Sequence, residues 1–215
     1  MPPVFEGDGP AGRDGDGDRE GWPPGVYGPG GRPDRGGEGD PEGLAARIRD
    51  RIADYPDFPR PGIVFRDLMP VLRSPPLLAS ITRRLAAEAE RTGATVVAGI
   101  ESRGFLFAAP VALETGLPLI TVRKQGKLPG DTLVEAYDLE YGRAELELQS
   151  GAVSEGDRAL VLDDLLATGG TLEAACRLLA GAGAGVAGLG VVVELSGLGG
   201  RERLQQYNTL SLLAL

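Results

Sequence analysis

The stretch V161-L-D-D-L-L-A-T-G-G-T171 decides the fold. An apolar run, RALVL over 158 to 162, leads into Asp163 and Asp164, and ATGGT then opens a segment reading LEAACRLL. This is strand, loop, helix, the order in which exposed amides and the positive end of a helix meet an anion. Gly169 and Gly170 allow close backbone approach, and Thr168 and Thr171 add hydroxyls. No lysine follows the glycines, so the loop is not a Walker loop. A glycine turn with a threonine cap accounts for TGGT but not for two aspartates, which are costly to bury without partners. Phosphate donors beside paired carboxylates suit a phosphorylated sugar, whose vicinal hydroxyls the carboxylates would accept.

Around this stretch, short apolar segments alternate with helical ones. TVVAGI (95 to 100) precedes a helix through FLFAAPVALETG, followed by PLITV (118 to 122) and the charged loop RKQGKLPGD. A hairpin is expected from about 132 to 149 around Tyr141-Gly142-Arg143. After the helix from Thr171 come VAGLGVVVEL, a short helix around RERLQQY and a last strand TLSLLAL. The order predicts an α/β fold with a mostly parallel, two-sided sheet whose ligands bind at the carboxyl ends of its strands. Upstream, LAARIRDRIADY sets Leu44, Ile48 and Ile52 on one helical face until Pro56 stops it. PDFPRPGIVFRDLMPVL should wrap over a surface without forming a long element, and PPLLASITRRLAAEAERTG predicts a helix ending at Gly93. GAGVAG (183 to 188) matches a dinucleotide glycine pattern but lies between helix and strand, the reverse of the required order.

Composition narrows the chemistry. With no histidine and a single cysteine, Cys176 in an apolar stretch, histidine bases, histidine ligands and cysteine metal clusters are excluded. The net charge of −9 argues against nucleic-acid binding. Residues 1 to 44 carry ten acids and four bases, 14 of the 34 glycines and 8 of the 17 prolines, which leaves only −3 for the rest. We expect residues 1–42 to form a disordered acidic tail; DGDGD there lacks the glutamate that would complete a calcium loop. No run approaches a membrane span and no signal peptide is evident, so a cytoplasmic protein without membrane partners is expected.

VLDDLLATGGT resembles the phosphoribosyl pyrophosphate (PRPP) motif of type I phosphoribosyltransferases. PDFPRPGIVFRD (56 to 67), ESRGFLFAAPVA (101 to 112), RKQGKLPGDT (123 to 132) and YDLEYGRAELE (137 to 147) narrow the resemblance to the adenine phosphoribosyltransferase family. It runs from about residue 44 to the C-terminus. It implies the type I phosphoribosyltransferase fold: a mostly parallel twisted sheet flanked by helices, with a small hood and an inserted hairpin and flexible loop. The domain would span 43–215, with the hood at about 43–72, the core at about 75–215 and the mobile loop and hairpin at 123–149.

The implied activity is magnesium-dependent transfer of phosphoribosyl from PRPP to adenine, giving AMP and pyrophosphate in purine salvage, by a homodimer. By resemblance, Asp163 and Asp164 hold the ribose hydroxyls, and Ala167, Thr168, Gly169, Gly170 and Thr171 hold the 5-phosphate. Glu101, Ser102 and Arg103 form the pyrophosphate loop, joined by Arg123, Lys124 and Lys127; position 101 is aspartate in some members. Val64, Phe65 and Arg66 make the adenine pocket. Glu140 serves the imidazole edge of the base as proton acceptor or stabiliser, and Tyr141 shapes the closed loop. No direct protein ligand for the metal is implied, since magnesium binds through PRPP oxygens and water. Transfer to hypoxanthine, guanine or xanthine, and a regulator that senses PRPP, are the alternatives.

Overall fold

The computed structural model describes residues 41–139 and 142–215. Residues 1–40 of the expected acidic tail, Glu140 and Tyr141 lie outside the described residues, whereas Pro41 and Glu42, expected in the disordered tail, open a helix.

Seven strands form the main sheet in the order β5-β6-β4-β3-β7-β8-β9. They are β3 (Val96–Ile100), β4 (Leu119–Lys124), β5 (Thr132–Leu139), β6 (Gly142–Gln149), β7 (Arg158–Leu166), β8 (Gly185–Glu194) and β9 (Thr209–Ala214). Neighbours from β4 through β9 pair in parallel, whereas the β5–β6 hairpin joins the edge of β4 antiparallel. The expected insertion is therefore an extension of the sheet. Burial sorts by alternation: Val96, Ala98, Ile100, Ala159 and Val161 pack with α5 (Gly170–Gly181), while Val97, Leu160 and Leu162 pack with α3 (Pro75–Thr92) and α4 (Phe105–Thr115). Because successive side chains point to opposite faces, helices on both sides demand the continuous apolar runs seen in β3 and β7.

The helices carry their stop signals. Prolines occupy the first turn of α3, and left-handed glycines, Gly93 and Gly116, end α3 and α4. The 183–188 glycine run bridges α5 and β8, the helix-to-strand turn expected of it. Cys176 is buried in α5, and burial pushes its thiol up to about 12, so it packs as a small apolar group. No described helix is long and apolar enough to cross a membrane.

The upstream region differs from expectation. Helix α1 (Pro41–Arg49) ends before Ile52, and Ala53–Pro56 is strand β1, paired antiparallel with β2 (Val64–Asp67). Ile52 still reaches the core from the turn beyond the helix. Hairpin pairing with Val64–Asp67 satisfies the 53–56 backbone, so the four-residue apolar spacing stops predicting helix there. A one-turn helix, α2 (Met69–Leu72), follows where a wrapping segment was expected. Similarly, Arg123 and Lys124 end β4 instead of starting a loop, and Asp163 and Asp164 lie within β7, not after it.

Leu162 is fully buried between β7 and the α3–α4 layer. Leu162→Ala is expected to destabilise the protein by about 2–5 kcal/mol, read as a lower midpoint in urea with an unchanged slope.

Candidate active site

The carboxyl ends of β4, β3 and β7 lie side by side, since Ile100 registers with Val122 and Gly99 with Leu162. Three chain segments leave the sheet at this rim: 101–104 after β3, 125–131 after β4 and 167–169 after β7. Together with the strand ends they leave, they carry most of the residues singled out in the sequence.

At the end of β7, Asp163 is half-buried and Asp164 is buried. The Asp164 amide donates to Asp163 Oδ1 at 2.8 Å. Arg103 Nε stands 2.8 Å from Asp164 Oδ2, yet that buried oxygen accepts no hydrogen bond. The contact is thus an ion pair without hydrogen-bond alignment, and a carboxylate oxygen is left with accepting capacity. Buried acceptors seldom stay unpaired in proteins, and one at a strand end beside a glycine loop marks a binding position. Loss of water pushes the Asp163 carboxyl well above the usual carboxylate range, and the neighbouring Asp164 charge adds to this. Asp164 is raised by the same desolvation, with Arg103 pulling the other way. The two titrate as a pair that holds a proton more tightly than ordinary acids.

Beyond the acids, Gly169 takes a left-handed φ of 80° as the cap of α5, and Gly169 and Gly170 are buried while Thr168 is exposed. The first-turn amides of α5 have no partners within the helix and carry its positive end, so the loop suits an anion.

The 101–104 segment presses against the sheet. A Cβ at Gly104 would lie 2.6 Å from the Ile100 carbonyl oxygen and 2.7 Å from that of Leu162, so only glycine fits. The Glu101–Ser102 peptide is cis. The Glu101 carboxylate does not face open space: it accepts from Arg123 Nε at 3.2 Å, Arg123 Nη2 at 3.3 Å and the Lys124 amide at 3.0 Å. Burial alone would push Glu101 up, but these bonds and the Arg123 and Lys127 charges outweigh it and hold the carboxyl below its ordinary value. An anionic ligand would meet Arg123, and Glu101 would aim that guanidinium.

Sequence reasoning missed Glu147. It lies opposite Arg123 across the β4–β6 pairing, is buried, and its Oε1 accepts the Lys127 and Leu128 amides, each at 2.6 Å. Arg123 Nη1 donates to the Lys127 carbonyl at 2.9 Å. The loop expected to be mobile is therefore held at its base by one carboxylate and one guanidinium, with the Lys124 and Lys127 side chains exposed. Alternation of acids with Leu146 and Leu148 was the available signal, but only the strand register shows which acid turns toward the loop. An open cleft of about 330 Å³ lies beside it, lined by Lys124, Gln125, Arg143, Ala144 and Glu145, two strands away from the acid pair.

The β1–β2 hairpin reaches the same rim through Phe65. Arg103 stacks on its ring at 5.6 Å, and Phe58 meets it edge-on at 5.3 Å. Val64 is exposed, and the Arg66 side chain pairs with Asp54 across the hairpin. Arg103 thus touches both the acid pair and the hairpin. The structure brings together Glu101, Arg103, Arg123, Asp163, Asp164 and Phe65; the Arg66 side chain points to its own hairpin partner.

Because the folded-state value of Asp163 is raised, its contribution to stability is complete below the ordinary carboxylate range and is lost as pH rises through the elevated value. Asp163→Asn keeps an acceptor for the Asp164 amide and removes this loss. We expect the ligand-free variant to melt above the native protein at pH 8, by a few degrees at about 2–4 °C per kcal/mol, with the gap shrinking toward pH 4. Thermal midpoints across that range check it.

A family model described as the phosphoribosyl transferase domain matches residues 72–210. The adenine phosphoribosyltransferase of Streptomyces coelicolor is 55% identical over 166 residues, which are 77% of this chain and 91% of that protein. That of Clavibacter michiganensis is 53% identical over 168 residues, 78% of this chain and 95% of its own length. Among solved structures, adenine phosphoribosyltransferase from Thermoanaerobacter pseudethanolicus superposes with a TM-score of 0.77 at 41% identity, covering 80% of this chain and 99% of its own. The Saccharomyces cerevisiae enzyme, in complex with an imino-altritol bisphosphate and adenine, gives 0.75 at 34% identity, covering 80% of this chain and 99% of its own. With a family model matching more than half of the chain, and relatives at 53–55% identity matched over 91–95% of their own length, the chain belongs to the phosphoribosyltransferase family, among the adenine phosphoribosyltransferases.

Proposed function

We propose that the protein transfers the phosphoribosyl group of PRPP to adenine, forming AMP and pyrophosphate in purine salvage. One observation carries the reading furthest: two desolvated carboxylates with a spare acceptor lie near the end of the strand that opens into the glycine loop. In this assignment Asp163 and Asp164 accept the two ribose hydroxyls. The amides and hydroxyls of Ala167, Thr168, Gly169, Gly170 and Thr171 hold the 5-phosphate. Ser102 and Arg103 meet the pyrophosphate from the β3 loop, and Arg123, Lys124 and Lys127 meet it from the β4 side, with Glu101 orienting Arg123.

The reaction forms a bond from adenine N9 to C1 of the ribose and breaks the bond from C1 to the pyrophosphate oxygen, which leaves with the electron pair. Positive charge grows on the sugar ring while negative charge gathers on the leaving group. Fixed carboxylates beneath the ring and fixed guanidinium groups at the diphosphate oppose both charges without reorganising, so the contribution is positional and electrostatic. The family resemblance of YDLEYGRAELE assigns the imidazole edge of adenine to Glu140, as acceptor of the proton lost there or as its stabiliser, in a chain that has no histidine. Val64 and Phe65 supply apolar walls for the base, and the Arg66 backbone reads its edge. Tyr141 shapes the closed loop.

Magnesium fits this donor set. The acid pair offers only oxygen, and no described cluster of three or more acids, cysteines or histidines could cage a metal. The ion would be held through PRPP oxygens and water, with Asp163 and Asp164 beside it. When bound, it supplies neutralisation of the diphosphate. We place the protein in the cytoplasm as a homodimer; Leu106 and Leu113 on α4, 43% and 85% exposed, support a partner on that face.

Incubation with PRPP, magnesium and each purine base in turn tests the reading. Nucleotide is expected with adenine, and nucleotide from hypoxanthine or guanine in preference would displace it. Glu140→Gln should lower kcat by about 10²-fold or more while leaving PRPP affinity nearly unchanged; unaltered turnover would remove Glu140 from the mechanism.

A further inference from the structure

The glycine loop is shaped by a segment to which the preceding mechanism gives no part. After β8 the chain makes a one-turn 3-10 helix (Ser196–Leu198), takes a left-handed turn at Gly199 (φ 71°) and forms α6 (Gly200–Arg203). A Cβ at Gly200 would lie 2.2 Å from the Ala167 carbonyl oxygen and 2.7 Å from Leu166 Cδ1. A Cβ at Gly169 would lie 3.0 Å from the Gly200 carbonyl oxygen and 3.3 Å from its Cα. The nearest contact at each glycine is therefore main chain on main chain, which cannot yield as the Leu166 side-chain end can.

The segment is fastened on both sides. The Arg201 guanidinium donates through Nε to Glu194 Oε1 at 3.0 Å and through Nη2 to the other oxygen of the same carboxylate. It also donates to the Thr209 carbonyl at 2.6 Å and the Ser211 hydroxyl at 2.9 Å. Glu194 is 6% exposed at the end of β8, so its carboxylate depends on this planar, two-pronged partner. On the other side, Arg203 Nε donates to Glu173 Oε2 at 2.8 Å, in the first turn of α5. One clamp fixes the segment to the sheet and the other to the helix whose amides open the loop.

We propose that Gly200, set in place by the Glu194–Arg201 clamp, is a positioning residue for phosphoribosyl transfer. The 199–203 segment is the mould against which residues 167–170 take the shape that receives the 5-phosphate. The inference rests on assigning that loop to the 5-phosphate. Amides held by backbone geometry tolerate little error, and the nearest contact a real Cβ accepts is 3.0 Å, so an alanine at 200 forces the Ala167 carbonyl back by about 0.8 Å. Displacements of that order in a binding frame cost one to two powers of ten.

The test measures kcat, KM for PRPP and for adenine, ribose 5-phosphate affinity and thermal midpoint in native protein, Gly200→Ala, Arg201→Lys and Glu88→Gln. Glu88 is a second buried carboxylate, clamped by Arg91 and Asn208 away from the loop, and its substitution reports the effect of lost stability alone. Gly200→Ala is expected to raise KM for PRPP and weaken ribose 5-phosphate about tenfold or more, with KM for adenine within about twofold. Arg201→Lys should shift the same two quantities less, because lysine keeps the charge and loses the fork. Native ribose 5-phosphate affinity in Gly200→Ala overturns the proposal, as does equal weakening in Glu88→Gln at matched loss of stability. Should Gly200→Ala fail to fold, Arg201→Lys decides by the same criteria. If native protein makes AMP but does not bind ribose 5-phosphate through this loop, as read from unchanged affinity in Thr168→Val, the loop assignment fails and takes the mould with it.

Discussion

A strand buried on both sides that carries two carboxylates near its carboxyl end sets the terms for the rest of the site. Leu160 and Leu162 of β7 are fully enclosed, and β3 and β8 flank the strand, so Asp163 and Asp164 emerge at a rim with little water to solvate them. Their charge must be met by what reaches that rim. Arg103 does so in part, from a loop pressed so tightly on the sheet that Gly104 cannot carry a Cβ. The compensation is incomplete, since one Asp164 oxygen remains without a hydrogen bond. A site satisfied by its own side chains would have no vacancy for hydroxyl groups; this one holds its acids at a cost that a ligand can offset.

The second constraint is main-chain packing. Gly104 lies against the carbonyls of Ile100 and Leu162, and Gly200 against that of Ala167. Where two backbones touch, placement is fixed to a few tenths of an ångström, while long side chains reach their targets through several rotatable bonds. On the proposed reading the backbone supplies the phosphate frame and the side chains supply charge around it. Arg123 on Glu101 and Arg201 on Glu194 are held by two-oxygen contacts, which limits their freedom as well.

Much of this was legible in the sequence because local pattern and global fold agree. Apolar runs in TVVAGI and RALVL, glycine stops after α3 and α4, and the acid pair before ATGGT each required a window of only a few residues. What escaped depended on pairing between distant segments. The apolar spacing through Ile52 predicted a longer helix because nothing local announces that Ala53–Pro56 pairs with Val64–Asp67. Glu147 looked like one of several hairpin acids until the register set it opposite Arg123. Glu194 and Arg201 are seven positions apart, yet their clamp matters only because the turn between them lands on Ala167. Asp163 and Asp164 were recognised, but their place inside β7, which gives them their rigidity, follows from pairing with β8.

The guanidinium groups of the rim are already engaged before any ligand arrives: Arg103 with Asp164, and Arg123 with Glu101 and the Lys127 carbonyl. On the proposed reading a diphosphate exchanges partners with these two arginines, while Lys124 and Lys127 stand exposed beside them. Exchange selects more sharply than attraction, because each displaced carboxylate has to find a new donor in the same event. On the proposed reading a sugar hydroxyl is that donor for Asp164, so releasing Arg103 to the diphosphate and receiving the ribose would be favourable together. A free diphosphate would leave the acid unpartnered, and a sugar without diphosphate would leave Arg103 shared. Residues 45 to 215 carry a net charge of only −3, so on the proposed reading discrimination between anions rests on this local exchange and not on the long-range field of the domain.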